Sequence, residues 1–161
     1  TGRAVVINLR EGELAEGGST ITQQLAKNMY FTQEKKFLRK VAELFVAFDL
    51  ERDYTKDEIL ELYLNTIYFG SGYYCVYDAA EGYFGKEPSQ MTDYESTLLA
   101  GIPNAPSVYS LPNSPELAAQ RQKTVLECMV QQDYITQEQA DEILAEGKIL
   151  PDGEIQQAGE E

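Results

Sequence analysis

Gly17-Gly18-Ser19-Thr20-Ile21-Thr22-Gln23-Gln24-Leu25-Ala26-Lys27-Asn28 sets two glycines ahead of small hydroxyl residues and a glutamine pair. That order is a loop turning into a helix. Ser19 or Thr20 can cap it, and Thr20-x-x-Gln23 fits the capping box, in which two side chains satisfy each other's orphan backbone donors. A helix start behind glycines also suits an anion, since free N–H groups and the positive end of the dipole point outward. On its own the stretch is a helix start. Its neighbours give it weight.

Upstream, Arg3 to about Glu13 (Ala4, Val5, Val6, Ile7 and Leu9 apolar) reads as the tail of a helix that Glu16-Gly17-Gly18 stops. Downstream, a helix over about 20–30 leads through Thr32-Gln33 into a long one over about 34–53. The long helix is apolar nearly all round over Val41-Ala42 and Leu44-Phe45-Val46-Ala47-Phe48, which predicts a place in the middle of a bundle. Glu43 sits inside that run, with Arg39 four residues back, Lys40 three back, and Lys35 and Lys36 a turn earlier. Arg39 is the natural i,i+4 partner for it.

Further helices follow in order. Thr55 caps one with Glu58 closing its box; Gly70-Ser71-Gly72 breaks it, and the Tyr73-Tyr74 stretch begins a short one to Phe84. Thr92-x-x-Glu95 caps a helix to about Ile102, and Pro103-Asn104-Ala105-Pro106 ends it in a loop to Pro115. Ser114-Pro115 is a cap with proline at the first helical position, opening a helix to about Asp133. Thr136-x-x-Gln139 starts the last, to about Glu146. No segment alternates convincingly as a strand and nothing repeats internally, so the fold class is all-α. Residues 147–161 lack periodicity and read as an acidic linker or tail.

The 161 residues are about one domain's worth, and 43% hydrophobic with 25% charged residues describes a globular chain. A net charge of −14 makes nucleic acid an unsuitable partner. Charge is uneven: Lys27 to Lys56 holds seven bases against five acids, whereas Thr124 to Glu161 holds ten acids and one base, Lys148. A local basic patch on an acidic chain points to a specific anionic ligand, against the plainer reading of a solvated helix face. With no histidine and only Cys75 and Cys128, zinc clusters and Ser-His or Cys-His nucleophile systems are excluded within these residues. One disulfide is open but not indicated. No apolar run approaches the ~20 residues of a membrane-spanning helix.

An anion-suited helix start carrying Lys27, a basic stripe and an embedded carboxylate converge. A buried carboxylate beside cations is either a structural ion pair or a functional group of tuned acidity, and spacing leaves both open for Glu43.

Gly18 to Asn28 resembles the second motif of the peptidoglycan glycosyltransferase domain of class A (bifunctional) penicillin-binding proteins and their monofunctional relatives. Arg39-Lys40-Val41-Ala42-Glu43, with Ala47 and Leu50-Glu51, resembles the third motif. Lys56-x-x-Ile59-Leu60-Glu61-x-Tyr63-Leu64-Asn65, with Gly70, resembles the fourth, and Arg121-x-x-x-Val125-Leu126-x-x-Met129 the fifth. Tyr83-Phe84-Gly85-Lys86 and Leu98 to Pro106 are similar to the family's connecting segments. The resemblance covers about Arg3 to Leu144, with the motifs in order.

It implies an incomplete, lysozyme-like multi-helix domain over 1–146 and a transferase that polymerises lipid II at the outer face of the cytoplasmic membrane. The donor is the growing glycan chain on undecaprenyl pyrophosphate, and the product a β-1,4 linkage. Such chemistry needs a base for the acceptor hydroxyl and positive charge for the departing pyrophosphate. By resemblance Lys27 and Arg39 contact pyrophosphate, with Lys35 or Lys36 in place of a further basic residue. Ser19, Gln23 and Gln24 line the cleft, Asn28 and Lys40 join the substrate-binding set, and Glu43 is the second essential carboxylate. Lys56, Glu61 and Asn65 read as scaffold, and Arg121 as a brace. No cofactor is required by the sequence, and by resemblance a divalent cation such as magnesium is compatible with the reaction. A moenomycin-type phosphoglycolipid is the implied inhibitor, and a fused transpeptidase domain the implied neighbour.

The departures are specific. The family's first motif, a Glu-Asp pair followed by Phe and His whose Glu is the general base, is not among these residues. The expectation is a chain that binds but does not turn over alone. Cys75 stands where relatives usually carry glycine, and Gln122 where many have a second arginine. Two rivals remain: a lysozyme-like lytic glycosidase, which needs no lysine-rich diphosphate site, and a non-catalytic lobe that binds lipid II.

Overall fold

The structure, a computed structural model, describes residues 19–30, 36–150 and 153–157, with residues 36–39 described by backbone only. The expected helix over 3–13 and Lys35 lie outside the described residues. The chain packs as two compact units, 1–66 and 67–161. Both are helical, in agreement with the all-α expectation.

In the first unit, α1 (Ile21–Tyr30), α2 (Lys36–Asp53) and α3 (Lys56–Leu64) pack with α1 against both others. The expected capping devices form at α1 and α3. Thr20 Oγ1 accepts from the Gln23 amide at 3.2 Å while Gln23 Oε1 accepts from the Thr20 amide at 3.3 Å. Thr55 and Glu58 close the same reciprocal box on α3. Each box satisfies donors that a helix start otherwise leaves to water, a contribution of about 1 kcal/mol.

The expectation of a helix buried all round is corrected for α2. Its buried residues are Glu43, Ala47 and Leu50, a single stripe at helical spacing, while Phe45 and Phe48 are 67% and 72% exposed and Val41 and Leu44 are exposed too. The physical reason is that α2 turns one face to α1. Its small Ala47 lets the helices approach, and among the described residues of this unit nothing covers the opposite face. Leu25 and Ala26 of α1 and Ile59 and Tyr63 of α3 complete the core.

The second unit comprises α4 (Val76–Phe84), α5 (Asp93–Gly101), α6 (Pro106–Tyr109), α7 (Pro115–Gln131) and α8 (Gln137–Ala145), with 3-10 turns at Pro88–Gln90 and Ile102–Asn104. Its core is α5 against α7, through Tyr94, Leu98, Leu99, Ala118 and Leu126. Three local expectations change. The short helix starts at Val76, not at the tyrosine pair, because Cys75 acts as its cap, with Sγ accepting from the Asp78 amide at 3.4 Å. Pro106 opens α6 within what read as loop. Pro115 stands at the first turn of α7 as expected, but Ser114 makes no side-chain cap bond.

The segment from 147 is not featureless. Short strands β1 (Gly147–Ile149) and β2 (Ile155–Gln157) pair antiparallel, Lys148 opposite Gln156. Three-residue strands are too short for alternation to register in a sequence. Gly147 permits the pairing site to lie against α5, since a Cβ there would come within 2.9 Å of the Tyr94 ring. Both cysteines are free, which closes the question of a disulfide between them.

Candidate functional site

The site is built on one contact between α1 and α2. Lys40, in the second turn of α2, sends its ammonium to Ser19 Oγ at 2.7 Å and to Glu43 Oε2 at 3.0 Å. An ammonium has three donors and no acceptor, so Ser19 accepts in this bond. The Glu43 side chain is 1% exposed and that of Lys40 30%, so the lysine reaches from the surface to a buried carboxylate. Taking a carboxylate out of water costs several kcal/mol unless a cation and hydrogen bonds offset it. The i,i+3 placement of Lys40 supplies the cation. Lys40–Glu43 is an ion pair among the described residues; the Arg39 side chain, and with it the expected Arg39–Glu43 pairing, lies outside the described residues.

Both glutamines are tied back to the start of α1. Gln23 is turned back into the capping box of α1. Gln24 donates from Nε2 to the Ser19 carbonyl at 3.4 Å, and its Oε1 accepts from the Tyr63 hydroxyl at 3.1 Å. Burial pushes the Tyr63 phenol up from its ordinary pKa, so it stays a donor across the physiological range. Lys27 and Asn28 sit exposed further along α1. The structure thus brings Ser19, Lys40 and Glu43 together with Gln24 behind them, and leaves Lys27 and Asn28 open to solvent.

Sequence reasoning missed a second tie between α1 and α2. Thr22 Oγ1 donates to Glu51, and Lys56 also pairs with Glu51, which joins α1, the end of α2 and the start of α3. Those hydrogen bonds from Lys56, first, and Thr22 hold the Glu51 carboxyl below the usual glutamate range. The signal was present, since Thr22, Glu51 and Lys56 each fall inside a quoted motif, but nothing in spacing pairs residues so far apart. Asn65 caps α3, its Nδ2 donating to the Glu61 carbonyl at 3.0 Å, which fits the scaffold role expected of it. Among the described residues no cluster of His, Cys, Asp and Glu is arranged to hold a metal ion.

The described residues bring together a buried helix-borne carboxylate, a lysine and a Ser-Thr helix start. The comparisons give the family. The transglycosylase family model matches residues 1–130. The chain is 48% identical over 149 residues to penicillin-binding protein 1F of Bacillus subtilis, covering 92% of this chain and 21% of that protein. It is 48% identical over 140 residues to penicillin-binding protein 1A of Aquifex aeolicus, covering 87% and 19%. In structure it matches penicillin-binding protein 1A from Haemophilus influenzae with a TM-score of 0.54 at 30% identity, covering 83% of this chain and 17% of that one. The chain belongs to the transglycosylase family, as a transglycosylase domain of the class A penicillin-binding proteins. It spans about a fifth of the length of the curated relatives it matches.

Proposed function

We propose that the whole protein polymerises lipid II into β-1,4-linked glycan strands, with undecaprenyl pyrophosphate as leaving group. The observation that carries this reading is the buried Glu43 carboxylate under Lys40 at the start of α1, in a chain of the transglycosylase family. Glu43 is the carboxylate of the donor side. Lys27, Lys35, Arg39 and Lys40 supply the charge that a departing diphosphate needs, worth most where water is excluded. Ser19 and Asn28 belong to the same binding set. Gln23 and Gln24 shape it through the backbone of the α1 start.

The family's Glu-Asp-Phe-His motif is not among the 161 residues, so a polypeptide of these residues alone binds donor without turnover. Lipid II polymerisation by that polypeptide would sink this part of the proposal. The reaction belongs at the outer face of the cytoplasmic membrane; no described helix is long and apolar enough to cross one.

The test is a calorimetric titration of the whole protein with a moenomycin-type phosphoglycolipid. Lys27→Ala and Arg39→Ala should each weaken binding by about 1.5–3 kcal/mol, the scale of a charge-assisted hydrogen bond. No effect of either removes the pyrophosphate assignment. Release of soluble sugar from finished peptidoglycan, with no polymer formed, would replace the transferase with the lytic glycosidase.

A further inference from the structure

Lys40 is shared between two segments of the chain. Glu43 is its neighbour on the same helix, three residues on, whereas Ser19 belongs to the loop before α1. A lysine held only by a helical neighbour keeps much of the freedom of its four-carbon stem. A second acceptor, on a different element, fixes the ammonium at one point.

The Ser19 hydroxyl is not needed where its sequence position first suggests. The cap of α1 is made by Thr20 and Gln23, so Ser19 Oγ has no part in starting the helix. Its place is nevertheless set firmly. The buried Tyr63 hydroxyl holds Gln24, and Gln24 holds the Ser19 carbonyl. The chain of contacts therefore runs from the core of α3 through Gln24 and Ser19 to the ammonium, and from there to Glu43.

We propose that Ser19 is a positioning residue that acts through Lys40, holding its ammonium at the point where it pairs with the buried Glu43 and receives an anionic oxygen of a diphosphate-bearing donor. Two of the three ammonium donors are spent on Ser19 and Glu43, which leaves one for the ligand. Pre-set charge of this kind costs no reorganisation when the leaving group develops its own. The inference rests on the transferase reading of the same site.

The experiment is a double-mutant cycle in the whole protein, read by lipid II polymerisation, with the ammonium followed separately. Ser19→Ala should lower kcat about tenfold, the scale of one hydrogen bond to a charged group, with KM changed less than about twofold. Ser19→Thr, which keeps the hydroxyl, should restore most of the loss. In a Lys40→Ala background, Ser19→Ala should have no further effect; full additivity of the two losses overturns the proposal. The Lys40 ammonium is observed by NMR with 15N-labelled lysine and assigned by its disappearance in Lys40→Arg. Ser19→Ala should shift or broaden that signal, and an unmoved signal also overturns the proposal. A wild-type protein that forms no polymer refutes the transferase reading and the donor role with it, and the ammonium signal then decides the Ser19–Lys40 tie by itself.

Discussion

Two buried carboxylates, one in each unit, meet a lysine in nearly the same way and are used differently. Glu43 on α2 is 1% exposed beside a Lys40 that is 30% exposed. Glu95 on α5 is 3% exposed beside a Lys86 that is 32% exposed. Charge and burial do not separate them. Their other partners do. Glu95 takes Lys86 on both oxygens, at 2.8 and 3.1 Å, and also accepts from the Thr92 amide at 2.9 Å in the capping box of α5. It fastens the loop after α4 to the first turn of α5. At Glu43 the lysine is divided between the carboxylate and a hydroxyl from another element. A buried ion pair tied into a helix cap serves the fold; on the function proposed above, one whose cation is also shared with a second element is arranged for a ligand.

The comparison breaks most readily at the carboxylates themselves. Glu43→Gln should cut lipid II polymerisation by the whole protein on the order of 10²–10³-fold, as loss of a preorganised electrostatic group does. Its circular dichroism spectrum should stay that of the parent. The same substitution at Glu95 should reverse the pattern. Removing charge from a buried carboxylate that serves both a lysine and a cap should cost about 2 kcal/mol of stability by urea unfolding, with turnover per folded molecule unchanged. A Glu95→Gln protein of normal stability and poor turnover would erase the distinction drawn between the two sites.

The two sites were not equally legible in the sequence. Thr92-x-x-Glu95 announces a capping box because both partners lie within one helical turn, and the structure forms it. Glu43 announced itself only as a charge inside an apolar run, with Arg39 and Lys40 both at helical spacing, and the described pair is with Lys40. The Ser19–Lys40 and Thr22–Glu51 contacts join α1 to α2 across the chain, and no local rule reaches them. The long helix misled for a related reason: Phe45 and Phe48 are apolar by residue type, yet their exposure depends on which face α1 covers. Capping devices and helix order were therefore readable, and the side of a helix that meets its neighbour was not. Gln122 illustrates the same limit. It is buried, donating to the Tyr94 carbonyl at 2.9 Å and to Thr97 Oγ1 at 3.0 Å, a role that its surroundings in α7 do not spell out.

The smallest expected effect sharpens the contrast within the first unit, where the Glu51 tie is exposed and the Glu43 site is not. Hydrogen bonds from Lys56, foremost, and from Thr22 keep the Glu51 carboxyl below its ordinary pKa in the folded protein. A group whose folded value is depressed adds stability at pH above its unfolded value, and that contribution is lost as pH falls through the folded value. The contribution should thus be present at neutral pH and fade below about pH 4.3, the usual glutamate range. Glu51→Gln should lower the melting temperature slightly at pH 7, and the wild-type and variant curves should draw together as the pH falls below the usual glutamate range. A gap that does not narrow with falling pH would mean that Glu51 supports α1 by packing rather than by charge. Because the pair is exposed, 0.5 M salt should also narrow the gap at pH 7. The Lys40–Glu43 pair, shielded from the same ions by its burial, should respond to that salt far less.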